Sequence, residues 1–248
     1  MIKRTGIIIQ ARIGSKRLPS KVLTEINNQS LLEILFCRLK KCKLIDEIIF
    51  AIPNTEENLI LGNHIKSFGG KVFFGSEDDV TLRYFNCAIQ ENLEIIIRVT
   101  SDCPLVDFRE VDNFVKVYRK VDLKNLYLSN FTPPETSSYC NGSDIEIFST
   151  DMINQAIKKF QAAKDREHVT FQFWDGRFSC NHLKMHWLHK DPINKVRITV
   201  DYQKDIEVLN KLSEVIDLQN ASLLEICKIY KKLNLFSING HFDSKAGW

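Results

Sequence analysis

The 248-residue sequence contains no C-x-x-C pair, no G-x-x-x-x-G-K-[ST] loop, no G-x-G-x-x-G fingerprint and no apolar run approaching a bilayer span. Each absence excludes something. The seven cysteines, at 37, 42, 87, 103, 140, 180 and 227, are odd in number and unclustered. A disulfide framework or zinc ribbon is disfavoured, and reduced thiols in a cytoplasmic protein are the simpler expectation. Without the glycine-lysine loop, P-loop ATPase chemistry is disfavoured; the dinucleotide fingerprint is missing as well. Ten glycines and six prolines are too few for a long flexible linker, so residues 1–248 read as one domain. Residues 6–9 are too short for a signal-peptide core, and no membrane partner is expected. A net charge of +3 is too slight to argue for nucleic acid, which needs a concentrated basic face.

What is present alternates. Residues 5–10 (TGIIIQ) read as a buried β-branched strand, and residues 47–52, 71–74 and 95–100 as three more. Between them lie helical patterns: one opened by the capping box Ser30–Glu33, one over 55–68 stopped by Gly69-Gly70, and one over 78–91. Residues 108–120 are again helical, with Asp107 placed to cap them. Such alternation predicts an α/β fold, three layers α/β/α, with a mainly parallel, mixed sheet. The second half is less regular. Strands are expected at 126–130, 145–148, 182–189 and, most clearly, 196–200. Helices are expected at 150–160, 167–174, 205–216 and 222–234.

Charge concentrates at one place. Lys3, Arg4, Arg12, Lys16, Arg17 and Lys21 all precede the first acidic residue, Glu25, and four of them lie in the loop after the first strand. A locally positive loop suits a phosphate-rich ligand. Ligands in open α/β sheets bind beyond the carboxyl ends of the strands. Asp102 follows the strand at 95–100, and Asp201 follows the one expected at 196–200. Parallel strands would bring both carboxylates to the basic loop. That set is chemically coherent. Magnesium takes one or two carboxylates plus phosphate oxygens and water. Arg12 and Arg17 can grip phosphates bidentately and Lys21 as a point charge, while Gly14 and Ser15 let backbone N–H groups approach.

At this point a family resemblance enters. The run from Gln10 to Leu23 (QARIGSKRLPSKVL) resembles the signature of the acylneuraminate cytidylyltransferase superfamily, in its spore-coat polysaccharide protein F branch. Five further blocks follow in order: residues 74–84 (FGSEDDV with Arg83-Tyr84 behind it), 98–107, 142–148, 165–170 and 197–202. The resemblance implies a Rossmann-like nucleotidyltransferase fold and transfer of CMP from CTP to a sugar acid or phosphorylated small acceptor, with pyrophosphate released. It implies that Ala11, Arg12 and Lys21 bind the triphosphate, with Gly14, Ser15 and Arg17 close by. Gly75, Ser76, Asp79 and Val80 would border cytosine and ribose, and Asp102 and Asp201 would carry Mg2+. Asp144, Glu146, Arg166, Glu167 and His168 would face the acceptor. Arg12, Lys21, Asp102 and Asp201 would carry catalysis by positioning and charge neutralisation. Residues 126–190 would hold the acceptor and supply a homodimer contact. Three positions depart from the family pattern: Ser20 stands where Gly is usual, Cys140-Asn141 replaces Pro-Asp, and Phe171-Gln172-Phe173 replaces a Pro-containing turn. By the departure at residue 20, the loop is expected to close less tightly.

Blander roles compete. Asp102 suits the turn before Pro104 and Asp201 a helix cap near residue 205. Glu146, two residues after Asp144, fits either a second metal shell or a solvent face. His182, His186 and His189 alternate with Leu183, Met185 and Trp187, but no carboxylate or cysteine completes a zinc set. A nucleotidyltransferase using another NTP would need the same phosphate machinery, and a non-catalytic nucleotide-binding protein the same fold.

Overall fold

The computed structural model describes residues 3–15 and 17–242. Lys16, part of the basic loop, lies outside them. The first half follows the alternation. Strand β1 (Thr5–Gln10) leads through the basic loop to a small hairpin, β2 (Glu25–Ile26) with β3 (Gln29–Ser30), and then to α1 (Leu31–Leu39). Next come β4 (Glu47–Pro53), α2 (Glu56–Ser67), β5 (Lys71–Gly75), α3 (Val80–Gln90), β6 (Ile95–Thr100) and α4 (Phe108–Lys120). The local reasons are those of the sequence. Ser30 Oγ accepts from Glu33 N, Asp79 from Leu82 N and Asp107 from Arg109 N, so α1, α3 and α4 begin where a side chain satisfies an orphan donor.

The second half has β7 (Leu126–Ser129), β8 (Glu146–Ser149), α5 (Thr150–Lys159), α6 (Ala163–His168), α7 (Phe171–Trp174), β9 (Asn181–Lys184), α8 (Gln203–Ser213), α9 (Leu223–Lys232) and α10 (Phe236–Asn239). Seven strands form one sheet, ordered β5-β4-β1-β6-β8-β7-β9. Strands β5, β4, β1 and β6 are mutually parallel, while β8 is antiparallel to both β6 and β7. Apolar side chains from the two faces of the sheet fall into two separate core clusters, one containing Ile7, Ile9 and Phe114 and the other Ile8, Tyr84 and Phe148. That is the period-two alternation of a strand covered on both sides.

Three expectations are corrected. Residues 196–200 are not a strand of the sheet. They run extended past two loops, with Asn141 N donating to Val196 O, Ile198 N to Asn141 O and Val200 N to Asp102 O. A β-branched run reads as a strand by propensity, but these hydrogen bonds go to loops. The helix expected over 167–174 is broken into α6 and α7 at Val169, whose φ is 59°. The strand expected over 182–189 is only β9; His182 there bonds Ser129 Oγ. No trio of His, Cys, Asp or Glu able to hold a metal occurs among the described residues.

Candidate active site

The parallel strands deliver the basic loop and Asp102 to one edge. Beyond the ends of β1 and β6 lies an open cleft of about 560 Å³. Its β1 wall is Gln10, Ala11, Arg12, Ser15, Arg17 and Lys21. The loop carrying these residues is pinned from below, since Ile13 N donates to Oδ1 of the fully buried Asn58. It is also closed on itself, with Ser15 N and Ser20 N both donating to Ile13 O. Ser20 sits in the left-handed region, at φ 54°. The loop therefore closes despite lacking glycine there, and the serine adopts the conformation glycine would take at less cost.

Asp201 arrives without a strand. Gly142 makes this possible: its φ is +99°, and a Cβ on it would fall 2.3 Å from Thr199 N and 2.6 Å from Ile198 C. The close approach of residues 198–199 depends on that missing side chain. Thr199 Oγ1 and Val200 N then both donate to Asp102 O, which fastens the two aspartate-bearing segments together.

Both carboxylates converge on one ammonium. Lys21 Nζ lies 3.0 Å from Asp201 Oδ1 and 3.5 Å from Asp102 Oδ2, and donates to Val200 O at 2.7 Å. Arg17 Nη2 meets Asp201 Oδ1 at 2.7 Å, and Arg197 Nη2 its Oδ2 at 3.3 Å. Burial works against the charge on Lys21, but Asp102 and Asp201 outweigh it and hold the ammonium above its ordinary pKa. Burial likewise works against an ionised Asp201, and Lys21 and Arg17 outweigh it, holding that carboxyl below its ordinary value. Asp201 does not cap α8; Asp205 accepts from the N–H groups of both residues 201 and 202.

The far wall comes from the second half of the chain. Asp144, Glu167 and His168 line it, and Val80 enters from the start of α3. Burial, then the nearby Asp102 and Glu146, push the Asp144 carboxyl up to about 8. Burial holds His168 below its ordinary value, against the pull of Glu167. Across the mouth, Arg12 Nη2 stands 4.0 Å from Glu167 Oε1.

Other residues singled out in the sequence lie behind the lining. Gly14, Gly75 and Ser76 are outside it. Asp79 and Arg166 pair with each other, Arg166 Nε at 2.8 Å from Asp79 Oδ2, and so clamp α6 onto the start of α3. Glu146 is neither solvent-facing nor in the lining. It is 2% exposed, its carboxylate accepting from Arg98 and Tyr127 and, at 2.6 Å, from Thr170.

Among the lining residues not foreseen as site residues are Gln10, Arg83 and Arg98. Each carries a buried polar atom without a partner among the described residues, namely Gln10 Oε1, Arg83 Nε and Arg98 Nε. A buried unpaired donor or acceptor is costly, and three around one cleft mark a place where something else binds. The sequence held signals for them: all three lie within the blocks that carry the family resemblance, and Arg98 is a lone charge in the strand at 95–100.

The profile of the cytidylyltransferase family matches residues 6–237. The chain belongs to the cytidylyltransferase family. This cytidylyltransferase is 34% identical over 243 residues to the Methanocaldococcus jannaschii protein MJ1063, covering 96% of each chain. It is 29% identical over 213 residues to the spore coat polysaccharide biosynthesis protein SpsF of Bacillus subtilis, covering 83% of this chain and 84% of that one. Among solved structures, a cytidylyltransferase from Leptospira borgpetersenii superposes with a TM-score of 0.87 at 26% identity, covering 97% of this chain and 98% of that one. The expected three-layer nucleotidyltransferase fold, with its mostly parallel mixed sheet, is therefore the observed one. Enzymes of this family are CTP-dependent nucleotidyltransferases, and this chain is one of them. Among the described residues no helix is long and apolar enough to cross a membrane.

Proposed function

We propose that this cytidylyltransferase transfers CMP from CTP to a hydroxyl of a sugar acid or phosphorylated small acceptor, releasing pyrophosphate, in the synthesis of a surface polysaccharide or glycoconjugate precursor. The observation that carries the reading is the convergence of Asp102 and Asp201 on Lys21 beside Arg12 and Arg17. A cationic wall facing two carboxylates is what a metal-bound triphosphate requires.

The donor set suits Mg2+: two hard carboxylates on one rim, each already turned toward a cation, the Lys21 ammonium. Asp102 and Asp201 would hold the ion, which when bound neutralises phosphate charge at the reacting phosphorus. The chain's own residues do the rest. Arg12, Arg17 and Lys21 bind the leaving pyrophosphate, with Ala11 and Ser15 beside them in the lining. Val80, backed by Gly75, Ser76 and Asp79, borders the nucleoside. Glu167, His168 and Asp144 orient the acceptor so that its oxygen lies in line with the α-phosphorus. The enzyme acts in the cytoplasm as a homodimer, with residues 126–190 at the contact. The SpsF likeness supports the polysaccharide setting.

Pyrophosphate release from CTP, Mg2+ and candidate acceptors tests the reaction. Asp102→Asn is expected to lower turnover by about 10²-fold or more while leaving thermal unfolding within a few degrees of wild type. Full activity in that variant removes Asp102 from the metal site.

A further inference from the structure

One buried cation of the cleft has a half-used guanidinium. Arg98 projects from β6, directly opposite Glu146 of β8, and is 6% exposed. Its side chain makes one hydrogen bond among the described residues, from Nη1 to Glu146 Oε2. That bond uses the end of the guanidinium nearest Cδ. The opposite edge, Nε with Nη2, offers two parallel N–H groups, and Nε is buried with no partner among the described residues. Two parallel N–H donors at this spacing match the two oxygens of an oxyanion.

Position distinguishes this edge from the triphosphate seat. Arg12, Arg17 and Lys21 come from the loop after β1. Arg98 lies one strand over, toward β8, and its charge is felt by both His168 and Asp144 on the far wall. Glu146 fixes its orientation and, by accepting from Thr170 Oγ1, also ties down the turn that follows His168.

We infer that the Nε–Nη2 edge of Arg98 binds the anionic group of the acceptor, a carboxylate or a phosphate monoester, and so selects anionic over neutral acceptors. This rests on the cytidylyltransferase reading of the same cleft. The energetic logic is asymmetric: a neutral acceptor leaves the buried N–H unpaired, whereas an anion satisfies it.

The test is titration calorimetry on protein loaded with CTP in the absence of divalent cations, so that no turnover occurs. The probes are 2-keto-D-gluconate, ribitol 5-phosphate and uncharged ribitol. Wild type is expected to bind one anion at least tenfold more tightly than ribitol, and which anion wins identifies the group. Single replacement of Arg98 would strand Glu146, so the paired variant Arg98→Gln with Glu146→Gln keeps a hydrogen-bonded core without charge. It is expected to bind CTP within twofold of wild type and to lose the anion preference. Arg98→Lys, retaining charge without the fork, is expected to recover only part of it. Equal binding of ribitol and both anions by wild type, or an unchanged anion preference in the paired variant, overturns the assignment. CTP binding and pyrophosphate release by wild type judge the cytidylyltransferase reading separately. Their presence with no anion preference sinks only the role of Arg98.

Discussion

Lys21 and Asp201 are 180 residues apart in sequence and 3.0 Å apart in space, and each keeps the other charged in a mostly buried setting. The ammonium also faces Asp102, so one lysine bridges both carboxylates, while Arg17 and Arg197 add to the charge around Asp201.

Lys21→Met removes that ammonium. Asp201 keeps Arg17 and Arg197, so the fold is expected to lose only about 1–2 kcal/mol, the scale of one charged hydrogen bond. CTP affinity is expected to fall at least tenfold. Thermal unfolding with and without CTP separates the two effects.

Gly142 carries the approach on which the position of Asp201 depends. In Gly142→Ala the new methyl meets the backbone of residues 198 and 199 and adopts a strained positive φ. A destabilisation of about 2–4 kcal/mol is expected, together with activity loss beyond what the fold change explains. Chemical denaturation and pyrophosphate assays on the same preparation check both.

Ser20 points the other way. Its φ of 54° is one that glycine adopts freely. Ser20→Gly is expected to be neutral to stabilising, by up to about 1 kcal/mol, with CTP affinity unchanged. A loss of more than that amount means that the serine hydroxyl contributes a bond of its own.

Asp144 sets a pH dependence. Its carboxyl titrates near 8 when folded and near the ordinary carboxylate value when unfolded. Below about pH 4 both states are protonated and nothing is lost. As pH rises from there toward 8 the unfolded state ionises first, so stability falls. Asp144→Asn is expected to flatten that decline and to gain on the order of 1–3 kcal/mol at pH 8 in metal-free buffer. Unfolding midpoints from pH 5 to 9 measure it.

The parts legible in the sequence were those with local causes. Strands β1 and β6 and helix α4 match the boundaries read from apolar period and from Asp107 as a cap. Both aspartates reached the basic loop, as their places after apolar runs suggested. What escaped depends on distant partners. Residues 196–200 have a strand's composition, but their hydrogen bonds were claimed by Asn141 and Asp102, which no local pattern reveals. Glu146 could not be placed because its fate is decided by Arg98, 48 positions earlier, and by Thr170. The helix over 167–174 fails at Val169, where Thr170 turns aside to bond that same buried carboxylate.

The reversed direction of β8 has an evolutionary consequence. Because β7 runs with β6 and β8 against it, β7 ends and β8 begins on the ligand side of the sheet. Residues 130–145 therefore bridge the two strands there, delivering Asn141 and Asp144 to the lining. The residues proposed to seat the phosphates, Arg12, Arg17 and Lys21, belong to a different half of the fold. Insertions or exchanges in the part of that bridge before Asn141 and Gly142, which hold residues 198–199 and with them Asp201, offer a lineage a way to adopt new acceptors without disturbing the basic loop.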